Sequence, residues 1–535
     1  MKREGWASRG AFILAAIGSA VGLGNAWRFP GLAAKYGGGA FLLIYVLAMV
    51  VLGFPLLTME LAIGRKMRSG APGAMRGINK KAEFIGWAGV GNAFFIVCYY
   101  AVVLAWVLFM IVEAFSLGSL TGNTEAASKV FMEDVIQAGS ITGSYDVPGG
   151  MVLALLVAWV MIYLCIRNGA KSVGKVVKFT VFLPVIFLLI LAIKGFTMPG
   201  AGDGVRAYLV PDWAALANPE LWVAAFGQVF YSLSIMMAIM IAYGSYVAKS
   251  SNLVADALIV SASDLAISFL AGLVMFSTLG ATGNLGNLME SGSVGLAFVV
   301  YPMALVTFSS SAVLNSIFAV LFYLTLLTLA IDSAFSIVEG ISTAVSDKFR
   351  LNRRKTTLNV CLIAGLISVL FATKAGLNWL DLVDYFTNNV SLIGIGIIEC
   401  IAIGWFFKTE KLRQEVNLNT GKIKLGAWYD WMIKVVCPLI LAALFVWNFV
   451  SYCTSGGYGG YPVWAQIIGW LIVAATFGCG FVVKLLEKKG AFKNIDFDTR
   501  SWDEMPDEDI VPVGSEEADL QDEEAKKADD INGVV

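Results

Sequence analysis

Apolar runs long enough to cross a membrane recur along almost the whole chain. A hydrocarbon core about 30 Å thick requires roughly 20 apolar residues in a helix. The chain is 58% hydrophobic and only 14% charged, whereas a soluble globular protein is typically about 25% charged. We therefore predict an all-α polytopic membrane protein with twelve transmembrane helices. These spans, numbered 1 to 12, are predicted at 11–35, 40–65, 85–117, 150–167, 173–195, 220–248, 253–281, 309–345, 357–374, 382–407, 428–452 and 462–486.

Basic residues are concentrated in alternate connections between the spans. Residues 118–149 contain one basic residue and 449–462 contain none. Because connections rich in Lys and Arg stay in the cytoplasm, both termini are predicted to be cytoplasmic, as an even number of spans requires. The basic residues assigned to that side are Lys2, Arg3, Arg9, Arg65, Lys66, Arg68, Arg76, Lys80, Lys81, Arg167, Lys171, Lys175, Lys348, Arg350, Arg353, Arg354, Lys355, Lys408, Lys411 and Arg413.

Span 1 contains three glycines at membrane depth, Gly18, Gly22 and Gly24, followed by Asn25 and Pro30. Glycine costs about 1 kcal/mol relative to alanine inside a helix, so the spacing predicts a helix that breaks. Irregular backbone is tolerated in a membrane only where protein or a water-filled cavity covers it. The freed carbonyl and amide groups are then available to bind ions and carboxylates.

A second break is predicted in span 6, within residues 230–238. Ser232 and Ser234 could satisfy freed backbone groups there, although the segment contains no glycine or proline. Spans 1 and 6 would each begin one half of a ten-helix unit. Interruptions at corresponding positions of two halves are the best sequence indication of a transporter's midplane binding site.

Five acidic residues stand out within the predicted spans: Glu60, Asp264, Asp332, Glu339 and Asp384. A charge at this depth is costly and is usually functional. Asp332 is followed by a serine in an otherwise apolar helix, and carboxylate and hydroxyl oxygens suit a small hard cation. The alternative for Asp332 is a buried carboxylate that is hydrogen-bonded to its neighbours, and Glu60 and Glu339 could instead cap broken helix ends.

The chain contains no histidine, and its seven cysteines show no metal-ligand spacing. A histidine-dependent catalytic triad and a zinc site are therefore excluded. The buried polar residues are typical of ligands rather than of an acid, a base and a nucleophile. We predict that the chain is not an enzyme.

Several segments together resemble the signature of the neurotransmitter:sodium symporter family. They are Gly18-Ser-Ala-Val-Gly-Leu-Gly-Asn-Ala-Trp-Arg-Phe-Pro30, Gly37-Gly-Gly-Ala-Phe41, Cys98-Tyr-Tyr100, Gln228-Val-Phe-Tyr-Ser-Leu-Ser234 and Leu329-Ala-Ile-Asp-Ser333. The resemblance extends from about Trp6 to span 12. It implies the LeuT-type fold of prokaryotic sodium-dependent amino-acid transporters, a 5+5 inverted repeat with broken helices 1 and 6.

That resemblance divides the chain into four regions. A cytoplasmic N-terminal gate segment at 1–10 precedes a transporter core at 11–407, with repeats at about 11–195 and 220–407. Accessory spans 11 and 12 follow at 428–486. Residues 487–535 are predicted to be an acidic, disordered cytoplasmic tail, because 496–535 contain 15 acidic and 3 basic residues and a segment so polar cannot bury a core.

The resemblance implies two Na⁺ sites built from carbonyl, carboxylate, amide and hydroxyl oxygens. One would use Gly18, Val21, Leu329, Asp332 and Ser333. The other would use Ala20, Asn25, Ser232 and Asp264 together with the substrate's own carboxylate. Substrate and ion would then each complete the other's site, which couples their binding.

The resemblance also implies a substrate site beside these ions. The substrate carboxylate would meet the amides of Leu23 and Gly24 at a helix N-terminus, where the dipole favours anions, and the hydroxyl of Tyr100. The other residues implied to hold the substrate ammonium group or to line its side-chain pocket are Ala20, Gly22, Ile96, Tyr231, Ser232, Ser234, Met236, Met237, Ser333 and Ile337.

Two gates follow from the same resemblance. Arg28 and Asp384 match an outer gate, although a packing salt bridge is the alternative for that pair. The residues that match an inner gate are Arg3, Trp6, Tyr246 and Asp347.

Three departures from the family pattern refine the expected substrate. Monoamine transporters carry an acid where this chain has Gly22, so an amino acid is favoured over a monoamine. Members that bind chloride often have Asn where this chain has Asp264, and a fixed carboxylate supplies the charge that a chloride would bring. Met236 and Met237 replace a stretch that commonly includes glycine, and flexible methionines suit apolar recognition. Tyr45, Gln228, Ser232 and Ser268, which match the family's chloride site, are nevertheless retained.

The sequence thus predicts a sodium-coupled symporter that imports neutral, hydrophobic L-amino acids by alternating access and does not require chloride. It would be a multi-pass protein of the plasma membrane, in contact with lipid and without a nucleic-acid partner. Aliphatic or aromatic preference and oligomeric state stay open. The alternatives are a sensor that binds sodium and amino acid without transport, and a chloride-dependent transporter of amino acids or monoamines.

Overall fold

The computed structural model describes residues 4–286, 292–421, 423–490, 500–505 and 511–512. Within these ranges the chain is almost entirely helical, which confirms the all-α class. The α-helices are Arg9–Ala20, Phe29–Lys35, Gly39–Ala48, Phe54–Met67, Ala71–Ile78, Glu83–Leu117, Thr124–Lys129, Met151–Ile166, Ala170–Thr180, Phe182–Phe196, Ala201–Leu209, Pro219–Ser232, Ile239–Gly244, Leu253–Ala281, Ser293–Gly295, Tyr301–Leu305, Ala312–Phe349, Arg353–Ser368, Gly376–Tyr385, Ile393–Phe406, Thr409–Val416, Ala427–Trp431, Cys437–Thr454 and Val463–Lys488.

Shorter helical forms extend or connect these helices. The π-helical turns are Gly24–Arg28, Met49–Gly53, Val130–Val135, Leu296–Val300, Phe386–Leu392 and Met432–Val436. The 3₁₀ turns are Gly118–Leu120, Trp213–Ala217, Val369–Ala372 and Trp502–Glu504. Two-residue strands lie at Glu4–Gly5 and Val511–Pro512.

Nine continuous helices among the described residues are long and apolar enough to cross a membrane, and a bent pair makes ten. The predicted spans 4 and 6 are the two that do not qualify. Span 4 is the 16-residue helix Met151–Ile166, and span 6 is divided into Pro219–Ser232 and Ile239–Gly244. The difference from twelve therefore arises from one short helix and one broken helix, and twelve crossings stay a prediction.

The outward faces of the spans are apolar. Phe115, Leu366 and Phe406 are each more than 70% exposed, although large exposed apolar surfaces are avoided in water. Such a surface is compatible with lipid, where an apolar side chain needs no cover. The structure therefore supports a multi-pass membrane protein.

Close helix packing positions the inner half of span 6 against span 2. A Cβ atom added to Gly64 would lie 2.1 Å from the carbonyl oxygen of Ile241, and one added to Gly244 would lie 2.5 Å from that of Leu61. Small residues permit such close approach between membrane helices. The two glycines thus fix the short helix Ile239–Gly244 on a rigid neighbour.

The two ends of the described chain lie together. The strands Glu4–Gly5 and Val511–Pro512 pair in parallel, with Glu4 opposite Val511 and Gly5 opposite Pro512. Both ends are therefore on the same side of the helical bundle, as an even number of crossings requires.

Candidate functional site

Span 1 breaks where its glycines predict. The helix Arg9–Ala20 ends at Val21, whose φ and ψ of −87° and 99° are extended. The chain resumes as a helix at Gly24, and the two halves are bent by 51°. The Asn25 N–H donates to the Gly22 carbonyl oxygen at 3.1 Å, and the start of a helix is in general a place where backbone N–H groups can bind an anion.

Span 6 breaks over residues 233–238. Ser234, Met236 and Ala238 have φ angles of 53°, 62° and 62°. Side chains other than glycine rarely adopt this left-handed region, and residues held there concentrate at functional sites. The predicted break is therefore present, and it is achieved without glycine.

Two hydrogen bonds join the breaks. The Ser234 hydroxyl donates to the Ser19 carbonyl oxygen at 2.8 Å, and the Gln228 side-chain amide donates to the Gly24 carbonyl oxygen at 3.2 Å. We call residues 18–25 of span 1 and 232–238 of span 6 the junction. Because side chains of span 6 satisfy backbone carbonyl oxygens of span 1, the two irregular segments form one unit.

A buried polar cluster lies at the Asn25 end of the junction. The Asn25 amide nitrogen is 2.7 Å from Asp264 Oδ1, 2.9 Å from Ser232 Oγ and 2.7 Å from Ser268 Oγ. Ser232 and Tyr45 also donate to the Asp264 carboxylate, at 2.6 and 3.0 Å. Asp264 has no exposed surface. The structure thus brings together the predicted residues Asn25, Ser232 and Asp264.

Asp332 lies at the opposite end of the junction. A Cβ atom on Gly18 would be only 2.6 Å from Asp332 Oδ2, so the carboxylate is packed directly against the span 1 backbone. Asp332 is 1% exposed, and its Oδ1 has no hydrogen-bond partner among the described residues. A buried carboxylate oxygen without a donor is energetically costly, and a cation would satisfy it.

A small cavity of about 30 Å³ lies between these two carboxylate sites. A cavity of this size accommodates about two water molecules. Thirteen of its fourteen lining residues are predicted to bind substrate or Na⁺, or both. They are Ala20, Gly22, Leu23, Gly24, Asn25, Ile96, Tyr100, Tyr231, Ser232, Ser234, Met237, Ser333 and Ile337, and the fourteenth is Ser19.

 Twelve of these thirteen residues are predicted substrate contacts. The other, Asn25, is predicted as a Na⁺ ligand alone.

Ser19 and Met236 differ from their predicted roles. Ser19 was not predicted to bind anything, although it lies within the glycine-rich segment that marked the break. Met236 does not line the cavity. Its backbone N–H donates to Glu60 Oε1 at 3.1 Å, and its φ angle is 62°. Glu60 thus has the predicted role of satisfying a broken helix end. Glu339 instead forms an ion pair with Arg353.

The remaining predicted Na⁺ ligands are placed by their helices. Val21 is the residue at which span 1 breaks. Leu329 lies less than one turn before Asp332 in the helix Ala312–Phe349 and is buried. Its carbonyl oxygen accepts the Ser333 hydroxyl at 3.5 Å. Two residues that the sequence connected only with chloride, Tyr45 and Ser268, belong to the Asp264 cluster.

The predicted outer pair, Arg28 and Asp384, does not form an ion pair in this structure. The Arg28 guanidinium lies over the Tyr231 ring, 5.3 Å from its centre. Asp384 Oδ1 accepts from the Tyr99 hydroxyl at 2.8 Å and from the Asn388 amide at 2.7 Å. A cavity of about 420 Å³ is lined by both members of the pair. Each charge therefore has another partner while the outer vestibule stays open.

Two of the residues that the resemblance assigns to an inner gate, Trp6 and Tyr246, are in direct contact. The Trp6 backbone N–H donates to the Tyr246 carbonyl oxygen at 3.0 Å, and its indole N–H donates to that of Tyr243 at 3.1 Å. Asp347 Oδ2 accepts the Gly70 N–H at 2.7 Å. Arg353 adds a contact that the prediction did not include, 5.4 Å from the Tyr246 ring centre. Arg3 lies outside the described residues.

This arrangement is suited to binding rather than to catalysis. The polar groups converge on one buried locus between two broken helices, with the cavity lined by Arg28 and Asp384 nearby. Among the described residues no group of three or more His, Cys, Asp or Glu side chains could hold a metal ion together. Two broken helices that meet inside a polytopic bundle are typical of secondary transporters.

Comparison with known proteins gives the family. The model of the sodium:neurotransmitter symporter family matches residues 3–121 and 116–488. An uncharacterized sodium-dependent transporter of Methanocaldococcus jannaschii is 37% identical over 499 residues, which cover 91% of this chain and 98% of the relative. The chain therefore belongs to the sodium:neurotransmitter symporter family.

Similar animal proteins include a creatine transporter and a taurine transporter. The sodium- and chloride-dependent creatine transporter 1 of Homo sapiens is 32% identical, with 89% of this chain and 82% of the relative covered. The sodium- and chloride-dependent taurine transporter of Bos taurus is 30% identical, with 92% and 86% covered. The chain is thus a sodium-dependent symporter of a small molecule and not an enzyme.

Proposed function

We propose that this symporter imports neutral, hydrophobic L-amino acids together with Na⁺ by alternating access and does not require chloride. The observation that carries the proposal is the junction. Asp332 lies against Gly18 and Asp264 against Asn25, so two carboxylates face the two ends of one broken segment. Gly22 lies between them and lines the cavity.

The first Na⁺ site is proposed around Asp332. Its unpartnered Oδ1 supports this assignment, because burial excludes water and the described residues supply no donor. Carbonyl oxygens of Gly18, Val21 and Leu329 and the Ser333 hydroxyl would complete a shell of hard oxygen ligands. A cation there would neutralise the buried charge that is otherwise costly.

The second Na⁺ site is proposed at the Asn25 cluster. The Asn25 amide nitrogen lies near three oxygen atoms, but it carries only two hydrogens. The Asn25 side-chain oxygen accepts the Gly22 N–H at 2.9 Å. Rotation of the amide by half a turn would give up that bond and direct the oxygen toward Ser232 and Asp264, where a cation would bind it. The Ala20 carbonyl and the substrate carboxylate would supply further oxygens, so that substrate and Na⁺ stabilise each other.

An amino acid is favoured over a monoamine by the space around Gly22. A Cβ atom on this residue would lie 2.5 Å from Ser333 Oγ and 3.5 Å from the Tyr100 hydroxyl, so no acidic side chain could be present at this position without displacement of its neighbours. The anionic group must then come from the substrate. The buried Tyr100 hydroxyl has no acceptor or donor among the described residues and is available to it. Creatine and taurine, which the relatives are named for, also carry an anionic group.

A neutral, apolar substrate side chain is favoured by the other wall. Ile96, Met237 and Ile337 line the cavity there, and none of its lining side chains is charged. The cavity is too small for an amino acid as it stands, so side chains must move on binding. Methionine has three rotatable bonds and fills irregular space, and Met237 is the residue best able to make room.

Independence from chloride is favoured by the hydrogen bonds of Asp264. Its carboxylate accepts from the hydroxyl groups of Tyr45 and Ser232, at 3.0 and 2.6 Å. These are the donors that an anion would need, so the fixed carboxylate occupies the place that chloride would take. According to the proposal, this chain does not require chloride, whereas the creatine and taurine transporters are named chloride-dependent.

The Asp264→Asn variant tests this point. Loss of the carboxylate should lower uptake in chloride-free medium by about tenfold or more, because a hydrogen-bonded buried charge contributes about 1.5–3 kcal/mol. Chloride should then restore part of the rate in the variant but should leave the wild-type rate unchanged. Initial uptake rates in chloride medium and in gluconate medium measure the loss of uptake and its recovery by chloride. A chloride requirement in the wild type would contradict the proposal.

Substrate and mechanism are tested by uptake into proteoliposomes. Purified protein is given a panel of labelled neutral, acidic and basic amino acids and a monoamine, with an inward gradient of Na⁺ or choline. Accumulation of neutral hydrophobic amino acids with Na⁺ alone is expected. Binding without accumulation would identify a sensor, and accumulation of the monoamine would contradict the argument from Gly22.

We also propose a plasma-membrane location with both termini in the cytoplasm. The basic residues of the connections support this orientation. The parallel pairing of Glu4–Gly5 with Val511–Pro512 supports a common side for the two ends. Proteolysis of right-side-out vesicles would contradict this orientation if an epitope tag at either end were cleaved.

A further inference from the structure

Part of the acidic tail is packed against the cytoplasmic side of the helical bundle. Trp502 is 6% exposed, and its ring centre lies 5.0 Å from that of Phe407, which follows the helix Ile393–Phe406. Met505 is 5% exposed. Trp502 is the single tryptophan in the strongly acidic segment 496–535. Burial of large apolar side chains is a favourable term of about 1.5–3 kcal/mol each, so these residues act as anchors.

Polar contacts fix the same segment. Lys411 Nζ lies 2.5 Å from Asp503 Oδ1. The Ser501 N–H donates to Glu504 Oε2 at 2.7 Å, which holds the pKa of that carboxylate below its usual value. A Cβ atom on Gly77 would lie 3.3 Å from the Arg500 carbonyl oxygen, so the tail backbone passes close to the helix Ala71–Ile78.

The tail then meets the N-terminal segment. Val511 and Pro512 pair in parallel with Glu4 and Gly5. The next residue, Trp6, closes the inner side through its hydrogen bonds to the carbonyl oxygens of Tyr243 and Tyr246. Trp6 cannot leave the pathway unless the paired strand moves with it or separates from the tail.

We propose that residues 500–505 and 511–512 form a clasp that docks on the cytoplasmic face of this chain and stabilises the closed inner gate. The docking surface consists of Phe407, Lys411, Gly77 and the edge of the strand Glu4–Gly5. Its occupant is the chain's own tail, which is seated on it in the structure. The docking is independent of the proposed function, and only its effect on transport rests on alternating access.

Charge complementarity supports this occupant. The predicted cytoplasmic connections are rich in Lys and Arg, whereas residues 496–535 contain 15 acidic and 3 basic residues. Attraction between exposed charges is weak and is screened by salt. Trp502 therefore supplies the specific contact, and the charges favour encounter. Release of the clasp should make the N-terminal segment open more readily toward the cytoplasm.

Hydrogen exchange in the full chain tests the clasp directly. In nanodiscs, Trp502→Ala should increase the exchange rate of amides at residues 4–8 by about fivefold or more, a typical size for coupling between sites. Trp428→Ala removes a tryptophan that is 46% exposed and should leave those rates unchanged. Protection of residues 83–117 reports whether either variant is folded. Unchanged exchange at residues 4–8 together with faster exchange at 500–505 would overturn the proposal.

A charge-reversal pair gives a second test that leaves Trp502 intact. Lys411→Glu places a carboxylate opposite Asp503 and should accelerate exchange at residues 4–8. Addition of Asp503→Lys should restore the slow rate, because the pair is then reformed with opposite polarity. If the double variant exchanges as fast as the single one, Lys411 and Asp503 do not hold the clasp. Protection of residues 4–8 that depends on protein concentration would assign the docked tail to a second copy and would also contradict the proposal.

The transport consequence has its own readout. If the clasp stabilises the closed inner gate, Trp502→Ala should raise the external Na⁺ concentration that gives half-maximal uptake, by a similar factor. Trp428→Ala should leave that Na⁺ concentration unchanged. Failure of all uptake in the wild type would refute the proposed function and would leave the exchange result unaffected. A normal Na⁺ dependence in Trp502→Ala, alongside faster exchange at residues 4–8, would refute the gating role.

Discussion

The two broken helices reach the same result by different means. In span 1, Gly22 follows the extended residue Val21 and Gly24 begins the second half, so the break requires only residues 21–23. In span 6, six residues leave the helix, and Ser234, Met236 and Ala238 adopt left-handed backbone without glycine. Span 1 therefore breaks because of its own sequence, whereas the break in span 6 needs support from other elements.

The support for span 6 comes from named partners. Glu60 of span 2 accepts the Met236 N–H, and the Ser19 carbonyl of span 1 accepts the Ser234 hydroxyl. Each left-handed non-glycine residue costs on the order of 1 kcal/mol or more, so these contacts must offset that strain. Glycine at a break leaves room for ligands. Non-glycine residues with a left-handed backbone at a break depend instead on contacts with the surrounding helices.

The largest expected loss of uptake follows substitution of Asp332, which is packed against Gly18 of span 1. Asp332→Ala should abolish Na⁺-dependent uptake, with a loss of about 100-fold or more, because removal of one partner from a buried charged contact costs about 3–5 kcal/mol. Uptake against Na⁺ concentration in proteoliposomes measures it. Lys129→Ala, which alters an exposed ion pair, should leave uptake unchanged. Full uptake by Asp332→Ala at low Na⁺ would contradict the first Na⁺ site.

A smaller loss of uptake is expected when the space beside Gly22 is filled. Gly22→Asp should lower amino-acid uptake by about tenfold to 100-fold, because overpacking costs about 1–3 kcal/mol and the new Cβ would lie 2.5 Å from Ser333 Oγ. Gly227→Ala is the matched control, since nothing lies within 4 Å of its Cβ position. Normal kinetics for Gly22→Asp would contradict the position of this residue in the substrate site.

The smallest effect is expected at the support of span 6. Glu60→Ala would leave the buried Met236 N–H without its acceptor, at a cost of about 1–3 kcal/mol. The thermal unfolding midpoint in detergent should fall, whereas Glu60→Gln keeps an acceptor oxygen and should lie close to the wild type. Equal midpoints for Glu60→Ala and the wild type would show that the break in span 6 does not need this partner.

The difference between the breaks also explains what the sequence could predict. Gly18, Gly22 and Gly24 are visible as helix-breaking residues in an apolar run, so the first break follows from composition alone. The second was predicted chiefly from its position in the other half of the chain. The left-handed φ angles of Met236 and Ala238 could not be read from residues that are ordinary helix formers, because the partners that stabilise them are distant in sequence.

The site was predicted to a similar extent. The depth of Asp332 and Asp264 in apolar helices indicated functional carboxylates, and the family resemblance supplied their partners. Ser19 was missed, because its contribution to Ser234 is a backbone carbonyl, which every residue has. The separation of Arg28 from Asp384 was also unforeseen, since Tyr231, Tyr99 and Asn388 compete for the two charges.

The central claim is that substrate and Na⁺ complete each other's sites at the junction. Equilibrium binding of a labelled neutral amino acid such as leucine to the purified protein, over a range of Na⁺ concentrations, tests it most directly. The account predicts that saturating Na⁺ lowers the Kd at least tenfold relative to choline, within the usual range of coupling between sites. A Kd that is the same in Na⁺ and in choline would contradict it.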